Sequence, residues 1–339
     1  MESLYNLNYD QMCEYALDHG WKSYRGHQIF QWLYRNRVFD IDEMTNVSKE
    51  TREILKKDFI VNPLELIKKQ VSHDGTTKFL FKTSDGALLE SVMMVFDYGR
   101  SVCVSSQVGC NMGCAFCESG RLKKVRNLES FEIIEQILLI SEDINERISS
   151  IVIMGIGEPF DNYDNIINFI KIVNNPFGLA IGARHITVST CGIIPKIKEF
   201  MNLDLQVNLA ISLHAPTNAL RSKIMPINNA YPLDDLVNTL KEYIAKTNSR
   251  VTIEYVMLNN VNDSLEDARN LANLLKGMNV YVNLIPYNET SHLDFKRSDK
   301  INSFYDTLKK YKINVTVRRE FGSNIDAACG QLRAKEVEK

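Results

Sequence analysis

Three cysteines of this chain stand too close together for an ordinary secreted disulfide framework. Cys110, Cys114 and Cys117 fall within eight residues, and Gly113 lets the chain between them turn tightly. Thiolates that converge from one loop can hold a compact inorganic centre. A cubane iron–sulfur cluster takes four ligands, so three cysteines leave one iron open for a substrate or cofactor. A structural zinc is the alternative, and it needs a fourth Cys or His.

Two further cysteines have surroundings that suit a reactive thiol. Cys103 precedes the three-cysteine loop by seven residues, and Cys329 lies near the C-terminus in a stretch of small residues that contains Gly330. An accessible thiol can act as a nucleophile, whereas an isolated cysteine is more commonly buried and only packs in the core. Cys13 and Cys191 have no such context, and we predict that both are structural.

A second group of candidates follows predicted strands. After the apolar run 151–154 comes Gly155-Ile-Gly157-Glu158-Pro159, where glycines permit close backbone approach and a carboxylate can accept from a ligand ammonium group. Alone, this is a weak signal, because the third glycine of a dinucleotide fingerprint is missing. The other candidates that follow predicted strands are Ser189, Ser212, Leu213, His214 and Asn288. Each of them, taken alone, also fits a helix cap or a turn.

The elements that must position these residues alternate regularly. Segments of helical period, such as 233–244 and 265–275, separate short apolar runs. Alternating strands and helices with right-handed crossovers predict a parallel sheet that is closed or partly closed into a barrel. Because chemistry gathers at the carboxyl ends of such strands, the candidates should share one rim. The predicted strands are 102–108, 150–154, 186–190, 206–213, 251–258 and 280–287, with a last one at 313–317.

Residues 1–62 are predicted to form a helical unit. An apolar stripe of helical period runs through 24–37, and Ser48 is a predicted cap for a second helix that ends near Phe59. This unit is predicted to be an RNA-binding accessory domain ahead of the core.

Residues 63–98 are predicted to form a small antiparallel meander that links the helical unit to the core at 99–339. Two dipeptides, Asp74-Gly75 and Asp85-Gly86, supply the positive φ angles of tight hairpin turns between short apolar and Thr-rich runs.

Composition predicts a folded, cytoplasmic protein. Apolar residues make up 45% and charged residues 24% of the 339 residues, and no window approaches the roughly 18 uninterrupted apolar residues of a membrane span. With 40 Lys and Arg against 42 Asp and Glu, a nucleic acid would have to be held by local basic patches. The candidate patches are Lys22, Arg25, Arg35 and Arg37, interleaved with the stacking candidates Tyr24, Trp32 and Tyr34, and the run Arg121, Lys123, Lys124 and Arg126.

Taken together, these motifs resemble the RlmN/Cfr family of radical S-adenosylmethionine (SAM) RNA adenine methyltransferases, nearly end to end. The resemblance rests on Tyr24-Arg-Gly-His-Gln28 with Trp32, Glu90, Cys103-Val-Ser-Ser-Gln-Val-Gly-Cys110, the Cys-x3-Cys-x-aromatic-Cys motif, Met154-Gly-Ile-Gly-Glu-Pro159, Ser212-Leu-His214 and Asp326-Ala-Ala-Cys-Gly-Gln-Leu332.

The resemblance implies a fold and two cofactors. The fold would be a partial parallel (β/α)6 radical SAM barrel in the α/β class, with the helical accessory domain and the meander in front of it. A [4Fe–4S] cluster would be held by Cys110, Cys114 and Cys117. SAM would be bound at Gly157, Glu158, Ser189, Ser212, Leu213, His214 and Asn288.

The resemblance also implies a reaction. Adenine C2 is not nucleophilic, so the family uses radical chemistry. The cysteine matching Cys329 first takes a methyl group from one SAM, and a radical derived from a second SAM then activates that methyl for addition to the base. The thiol matching Cys103 releases the product through a transient disulfide, and Glu90 is the candidate proton acceptor.

Partners follow from the same resemblance. They are 23S ribosomal RNA at adenosine 2503, transfer RNA at adenosine 37 in some members, and an electron donor such as flavodoxin or ferredoxin; no membrane is implied. Methylation at C8, as in Cfr, is the nearest alternative, and Pro159 favours C2. Two alternatives are more distant. One is a different radical SAM activity, and the other is an RNA-binding module without enzymatic activity in which the cysteines hold a structural zinc.

One residue departs from the family pattern. Glu118 follows Cys117 directly, where relatives carry a small residue before the Ser-Gly pair formed here by Ser119 and Gly120. A carboxylate beside a cluster could alter its potential. We expect Glu118 to point outward, where it would have no such effect.

Overall fold

The computed structural model describes residues 2–61, 63–322, 325 and 331–332. The strands of this part are β1 (Glu2–Ser3), β2 (Phe59–Ile60), β3 (Glu65–Val71), β4 (Thr77–Lys82), β5 (Leu88–Phe96), β6 (Gly99–Cys103), β7 (Gln107–Val108), β8 (Arg126–Asn127), β9 (Ile148–Ile153), β10 (Ile186–Thr190), β11 (Asn208–Ser212), β12 (Val251–Met257), β13 (Val280–Pro286) and β14 (Val315–Val317). The α-helices are α1 (Tyr9–Asp18), α2 (Tyr24–Tyr34), α3 (Lys49–Asp58), α4 (Ser130–Asp143), α5 (Tyr163–Asn174), α6 (Ile194–Phe200), α7 (Asn218–Ile224), α8 (Leu233–Thr247), α9 (Leu265–Leu274) and α10 (Ile301–Lys310).

The predicted parallel strands are confirmed. In the described residues one ten-stranded sheet has the order β14-β13-β12-β11-β10-β9-β6-β5-β4-β3, and every neighbouring pair from β6 to β14 is parallel. Helices α4 to α10 fall between or beside these strands in the chain. The parallel strands are apolar over most of their length because helices cover the sheet, as in other α/β folds. The barrel is therefore partial, with β14 at one edge of the sheet.

The meander is continuous with the core sheet. Strands β3, β4 and β5 are antiparallel, and Gly75 and Gly86 have positive φ in the turns between them, as predicted. Strand β5 then pairs antiparallel with β6, with Val92 opposite Cys103. The meander thus does more than connect two units, because its strands extend the sheet that carries the candidate site.

The N-terminal helices share one hydrophobic core with the barrel. Asn8 caps α1 with a capping box, and Ser48 caps α3 as predicted. Buried apolar side chains from Leu4 to Phe59 belong to the same cluster as those of α4, α5 and the parallel strands. Burial of this shared apolar surface holds the helical unit against the core. Among the helices of the described residues, none is long and apolar enough to cross a membrane.

Candidate active site

The carboxyl ends of the parallel strands open into a cavity of about 870 Å³, including its mouth. The predicted candidates on its wall are Cys110, Cys114, Cys117, Gly157, Glu158, Ser189, Ser212 and His214. Other lining residues include Met112, Phe116, Ser119, Met154, Gly155, Cys191, Met225, Glu254, Ile285, Arg318 and Leu332. Most of the residues that are predicted to share one rim therefore lie together around this cavity, as parallel-strand topology requires.

The three thiols of the cysteine loop are part of this wall. Burial raises the pKa of Cys110 to about 12 and the pKa of Cys114 well above its ordinary value, and repulsion between neighbouring thiolates adds to both effects. Thiolates here need positive charge beside them, which iron supplies, so this donor set fits an iron–sulfur cluster. As placed in the described residues, no group of three or more His, Cys, Asp or Glu side chains is gathered closely enough to hold a single metal ion.

Glu158 is buried and fixed by backbone amides. Its Oε1 accepts from the amide of Phe160 at 3.0 Å, and its Oε2 accepts from the amide of Cys191 at 2.8 Å. Burial raises its pKa, although these hydrogen bonds oppose that shift. Each carboxylate oxygen has two lone pairs, so Glu158 retains acceptor capacity toward a ligand ammonium group in the cavity.

Gly157 lines the cavity and also permits close packing within the protein. Its φ is +109°, and a Cβ added there would lie 2.7 Å from both Cβ of Gln107 and Oγ of Ser106. Gln107 in turn accepts from the amide of Glu158 through its Oε1 at 2.9 Å. The glycine therefore allows two segments of the protein to pack closely, and this packing aims the carboxylate of Glu158.

His214 lies on the cavity wall as a neutral ring. Its Nδ1 accepts from the backbone amide of Val256 at 3.0 Å, so the ring carries its proton on Nε2. Burial, with a smaller contribution from Arg221, lowers its pKa to about 3. The ring of Phe116 contacts it edge to face at 4.9 Å between centroids. His214 can thus donate one hydrogen bond to a ligand without carrying charge.

Ser189 and Ser212 lie on adjacent strands, and their hydroxyl oxygens are 3.5 Å apart. Both can donate or accept toward a ligand in the cavity. Leu213 differs from them, because its side chain lies in the main hydrophobic core and does not line the cavity. Only its backbone amide and carbonyl group could therefore serve a ligand, and the amide already donates to the carbonyl of Glu254 at 3.1 Å.

A second cavity of about 560 Å³ adjoins the first, and two more of the predicted residues, Cys103 and Asn288, line it. The residues common to both cavities are Met154, Ile285, Arg318 and Leu332. The cavity that holds the three cysteines is therefore separated from the thiol of Cys103 by a wall of few side chains.

Glu90 occupies the same sheet face as Cys103. Val92 and Met94 line the second cavity, and Glu90 precedes Val92 by two residues in β5, so the strand period places its side chain on their face. Val92 lies opposite Cys103, which puts that thiol on the same face. Glu90 is buried, and its Oε1 lies 3.2 Å from Nζ of Lys78.

Cys329, the predicted methyl carrier, lies outside the described residues, but two residues that follow it are anchored beside the cavities. Oγ of Ser119 donates to the carbonyl of Leu332 at 2.7 Å, and Nε2 of Gln331 donates to the carbonyl of Glu289 at 3.2 Å.

The expectation that Glu118 points outward is wrong. Its side chain is 2% exposed, with Oε2 3.3 Å from Arg121 and Oε1 3.5 Å from Nδ1 of His292. Burial by itself would raise the pKa of Glu118, but a hydrogen bond from Thr290 and the electrostatic effects of His292 and Arg121 outweigh burial, so the net effect is to lower this pKa. Glu118 therefore brings a buried negative charge to the loop that holds the cysteines.

Arg221 is a feature of the site that sequence reasoning missed. It is 0% exposed and donates to the carbonyls of Leu213 at 3.3 Å and Cys191 at 2.6 Å, and to Oδ1 of Asn228 at 3.1 Å. In the part of the chain described, it has no carboxylate within ion-pair distance. Its charge acts on the thiol of Cys114, lowering the pKa that burial raises. An arginine in a short helix carries no sequence signal for this role.

The basic stretches are only partly available for nucleic acid. Tyr34 is 1% exposed, so the expectation that it could stack on a base is wrong, whereas Tyr24 is 51% exposed. Arg126 is engaged by Asp85 and Glu132, and Lys124 lies 2.7 Å from Asp161. Trp32 donates through Nε1 to Asn46. The run after the cysteine loop is therefore largely neutralised.

The whole chain is similar to proteins of one known family. Residues 104–274 match the Radical SAM superfamily, and residues 2–61 match the ribosomal RNA large subunit methyltransferase N-terminal domain. A protein of Spiroplasma citri named "Probable dual-specificity RNA methyltransferase RlmN" is 53% identical over 338 residues, covering 99% of this chain and 98% of that protein. The chain belongs to the RlmN family of radical SAM RNA methyltransferases.

Other RlmN relatives agree with this membership. A protein of the same name from Acholeplasma laidlawii is 52% identical over 98% of this chain and 99% of its own length. The crystal structure of a radical SAM methyltransferase from Sphaerobacter thermophilus superposes with a TM-score of 0.94 at 40% identity, covering 99% of this chain and 100% of that one.

RlmN membership confirms the predicted fold class and cofactors. Radical SAM proteins carry a [4Fe–4S] cluster and use SAM, so these are the cofactors of this chain. The zinc-stapled alternative without enzymatic activity does not fit this membership.

Proposed function

We propose that this chain methylates C2 of adenine in RNA, at adenosine 2503 of 23S ribosomal RNA and at adenosine 37 of transfer RNA. The observation that carries the proposal is the pair of adjoining cavities, one walled by three cysteines and the other by Cys103. The names of relatives that match nearly end to end, all dual-specificity RNA methyltransferases, support both RNA classes.

The first cavity is the proposed cofactor site. Cys110, Cys114 and Cys117 would hold the cluster, which supplies an electron to cleave SAM and so make a carbon radical. Glu158 would accept from the amino group of SAM, and His214 would donate through Nε2 to an acceptor atom of SAM. Ser189 and Ser212 would hydrogen-bond its remaining polar groups.

The second cavity is the proposed place for the base. The methyl carrier would be Cys329, and Leu332, three residues later, lines both cavities. After methyl addition, the thiolate of Cys103 attacks the sulfur of Cys329, so that a disulfide forms while the bond from that sulfur to the methylene carbon breaks. The carbon keeps the electron pair of the broken bond and takes up a proton, which gives the methyl group of the released base. Glu90 shares a sheet face with Cys103 and is the proposed proton acceptor for the hydrogen that leaves C2. Asn288 would donate to the base or the ligand at the edge of this cavity.

The remaining proposals concern partners. A small electron-transfer protein such as flavodoxin or ferredoxin would reduce the cluster. The enzyme would act in the cytoplasm, where ribosomal and transfer RNA are available.

Nucleoside analysis tests the proposed reaction. Protein-free 23S RNA and unmodified transfer RNA are incubated anaerobically with the reconstituted protein, SAM and a reductant, then digested for mass spectrometry. We expect 2-methyladenosine from both RNAs. The appearance of 8-methyladenosine would assign the Cfr-type reaction instead, and cleavage of SAM without any methylated base would contradict RNA as the substrate.

A trapping experiment tests the resolving thiol. Cys103→Ala should leave RNA covalently attached to the protein through Cys329, visible as a slow band on a denaturing gel. Cys13→Ala is the matched control, because Cys13 is only partly exposed and lies in α1, away from both cavities. An active Cys103→Ala protein that forms no adduct would contradict the role of Cys103.

A further inference from the structure

A pocket of about 920 Å³ lies where the N-terminal helical unit meets the barrel, and three arginines line it. Arg35 and Arg37 follow helix α2, and Arg147 precedes strand β9. The other lining residues carry no charge, and Ser141 and Ile148 are among them. Both parts of the chain therefore contribute cations to one pocket, and among the described residues that line it there is no carboxylate.

The positive charge of this pocket is not neutralised within the described residues. Nη1 of Arg37 donates to Oγ of Ser141 at 2.7 Å, and Nη2 of Arg147 donates to the carbonyl of Ala180 at 2.8 Å. Arg35 is exposed, and among the described residues neither it nor the other two arginines has a carboxylate within ion-pair distance.

Two acidic residues near the end of α4 are oriented toward other cations. Asp143 lies 2.7 Å from Nζ of Lys69, and Glu146 lies 2.9 Å from Arg100. Two of the three guanidinium groups are thus held in place by neutral acceptors. Groups held in this way keep their full charge for an external anion.

The arginine pocket is distinct from the catalytic cavities. Ile148, the first residue of β9, lines the pocket, whereas Ile153, its last residue, lines the first cavity. Five residue steps of a strand separate these ends by about 17 Å. A ligand in the pocket therefore cannot also occupy the active site unless it is a large molecule.

We propose that the arginine pocket binds backbone phosphates of the RNA substrate, at a distance from the nucleotide that enters the active site. Guanidinium groups donate in a planar fork that matches phosphate oxygens, and phosphate contacts position a nucleic acid without reading its sequence. The inference rests on the proposed RNA methyltransferase function and adds a second anchoring point, built jointly by the helical unit and the barrel.

Binding of two RNAs of different length tests the pocket. The probes are a fluorescent fragment of 23S RNA that contains the target adenosine in its folded surroundings, and a short hairpin with that adenosine in its loop. Wild-type protein, Arg35→Glu and Arg147→Gln are titrated with each RNA at several salt concentrations. The matched control is Arg269→Glu, which changes an exposed arginine of α9 outside the pocket. Iron content and circular dichroism establish that each variant is folded.

For the long fragment, we expect each pocket variant to weaken binding roughly fivefold and to reduce the salt slope by about one. The short hairpin and the control variant should bind as the wild type does. Unchanged binding of the long fragment to both pocket variants would overturn the proposal, and so would equal weakening of both RNAs, which would place the contact next to the active site. Methylation of the short hairpin by wild-type protein is scored separately, so a failure of the proposed function is distinguishable from a failure of this site.

Discussion

Oγ of Ser119 donates a 2.7 Å hydrogen bond to the carbonyl of Leu332, 213 residues away in the chain. Ser119 belongs to the loop that follows the three cysteines, and the side chain of Leu332 lines both cavities. The bond therefore ties the cysteine loop to the C-terminal segment at the place where the two cavities meet.

Removing this tie should impair the reaction while leaving the iron in place. Ser119→Ala deletes a buried hydrogen bond that contributes about 1 kcal/mol, so we expect roughly a fivefold slower methylation at unchanged iron content. Ser303→Ala is the matched control, because its hydroxyl donates to the carbonyl of Lys300 at 2.9 Å on the surface of α10. Single-turnover rates measured for both variants check this, and equal rates would contradict it.

The colour of the purified protein should distinguish a cluster ligand, Cys114, from Cys191, a buried cysteine nearby. Cys114→Ala should lose most of its iron and its brown absorbance after anaerobic purification, because a ligand thiolate is gone. Cys191 lines the same cavity without being a predicted ligand, so Cys191→Ala should keep both. Iron analysis and visible spectra are the measurement. Equal iron in the two variants would show that Cys114 is not a ligand.

Arg221 should contribute to the free energy of unfolding, because it holds two of the loops that follow the parallel strands. Arg221→Met leaves the buried carbonyl of Cys191 and Oδ1 of Asn228 without their arginine donor, so the free energy of unfolding should fall by roughly 3 kcal/mol. Arg250→Met provides the comparison, because Arg250 is exposed and packs over Tyr281; its change should stay within about 0.5 kcal/mol. Urea unfolding of both variants decides the matter, and comparable midpoints would refute the structural role of Arg221.

Stability should depend on pH through His214. Its pKa is about 3 in the folded chain and 6.5 ordinarily, so below pH 6.5 the unfolded state takes up a proton that the folded state does not. The contribution is fully present above pH 6.5 and is lost as pH falls toward 3, by at most about 1.4 kcal/mol per pH unit.

Replacement of His214 tests this pH dependence. His214→Gln does not titrate, so its free energy of unfolding should vary less between pH 7 and pH 4.5 than that of the wild type. His185→Gln changes an exposed histidine and should follow the wild type. If all three proteins lose stability in parallel as pH falls, the loss comes from other groups.

Much of the fold could be predicted from the sequence because hydrophobic periodicity is a local signal. The apolar run before Gly155 and the capping serine at Ser48 are both found where they were predicted. The grouping of the candidate residues could be predicted from topology, because the residues that follow parallel strands meet at one end of a sheet.

Buried charges were not predictable in the same way. Glu118 is held by Arg121 and His292, and Arg221 is held by carbonyls from two different loops. Burial of a polar group is decided by partners distant in sequence, and nothing in the local pattern reports them. The same applies to Tyr34, whose hydroxyl donates to the carbonyl of Tyr5 and whose ring is therefore in the core.

The hairpin between β5 and β6 sets which side of the sheet the thiol of Cys103 faces. Phe96 pairs with Gly99, so only two residues form the turn, and a turn this short leaves the pairing no freedom to slide. One extra residue between Gly99 and Cys103 would rotate the thiol to the opposite face, away from Glu90. Gain or loss of single residues in this hairpin should therefore be rejected in any active descendant of the chain.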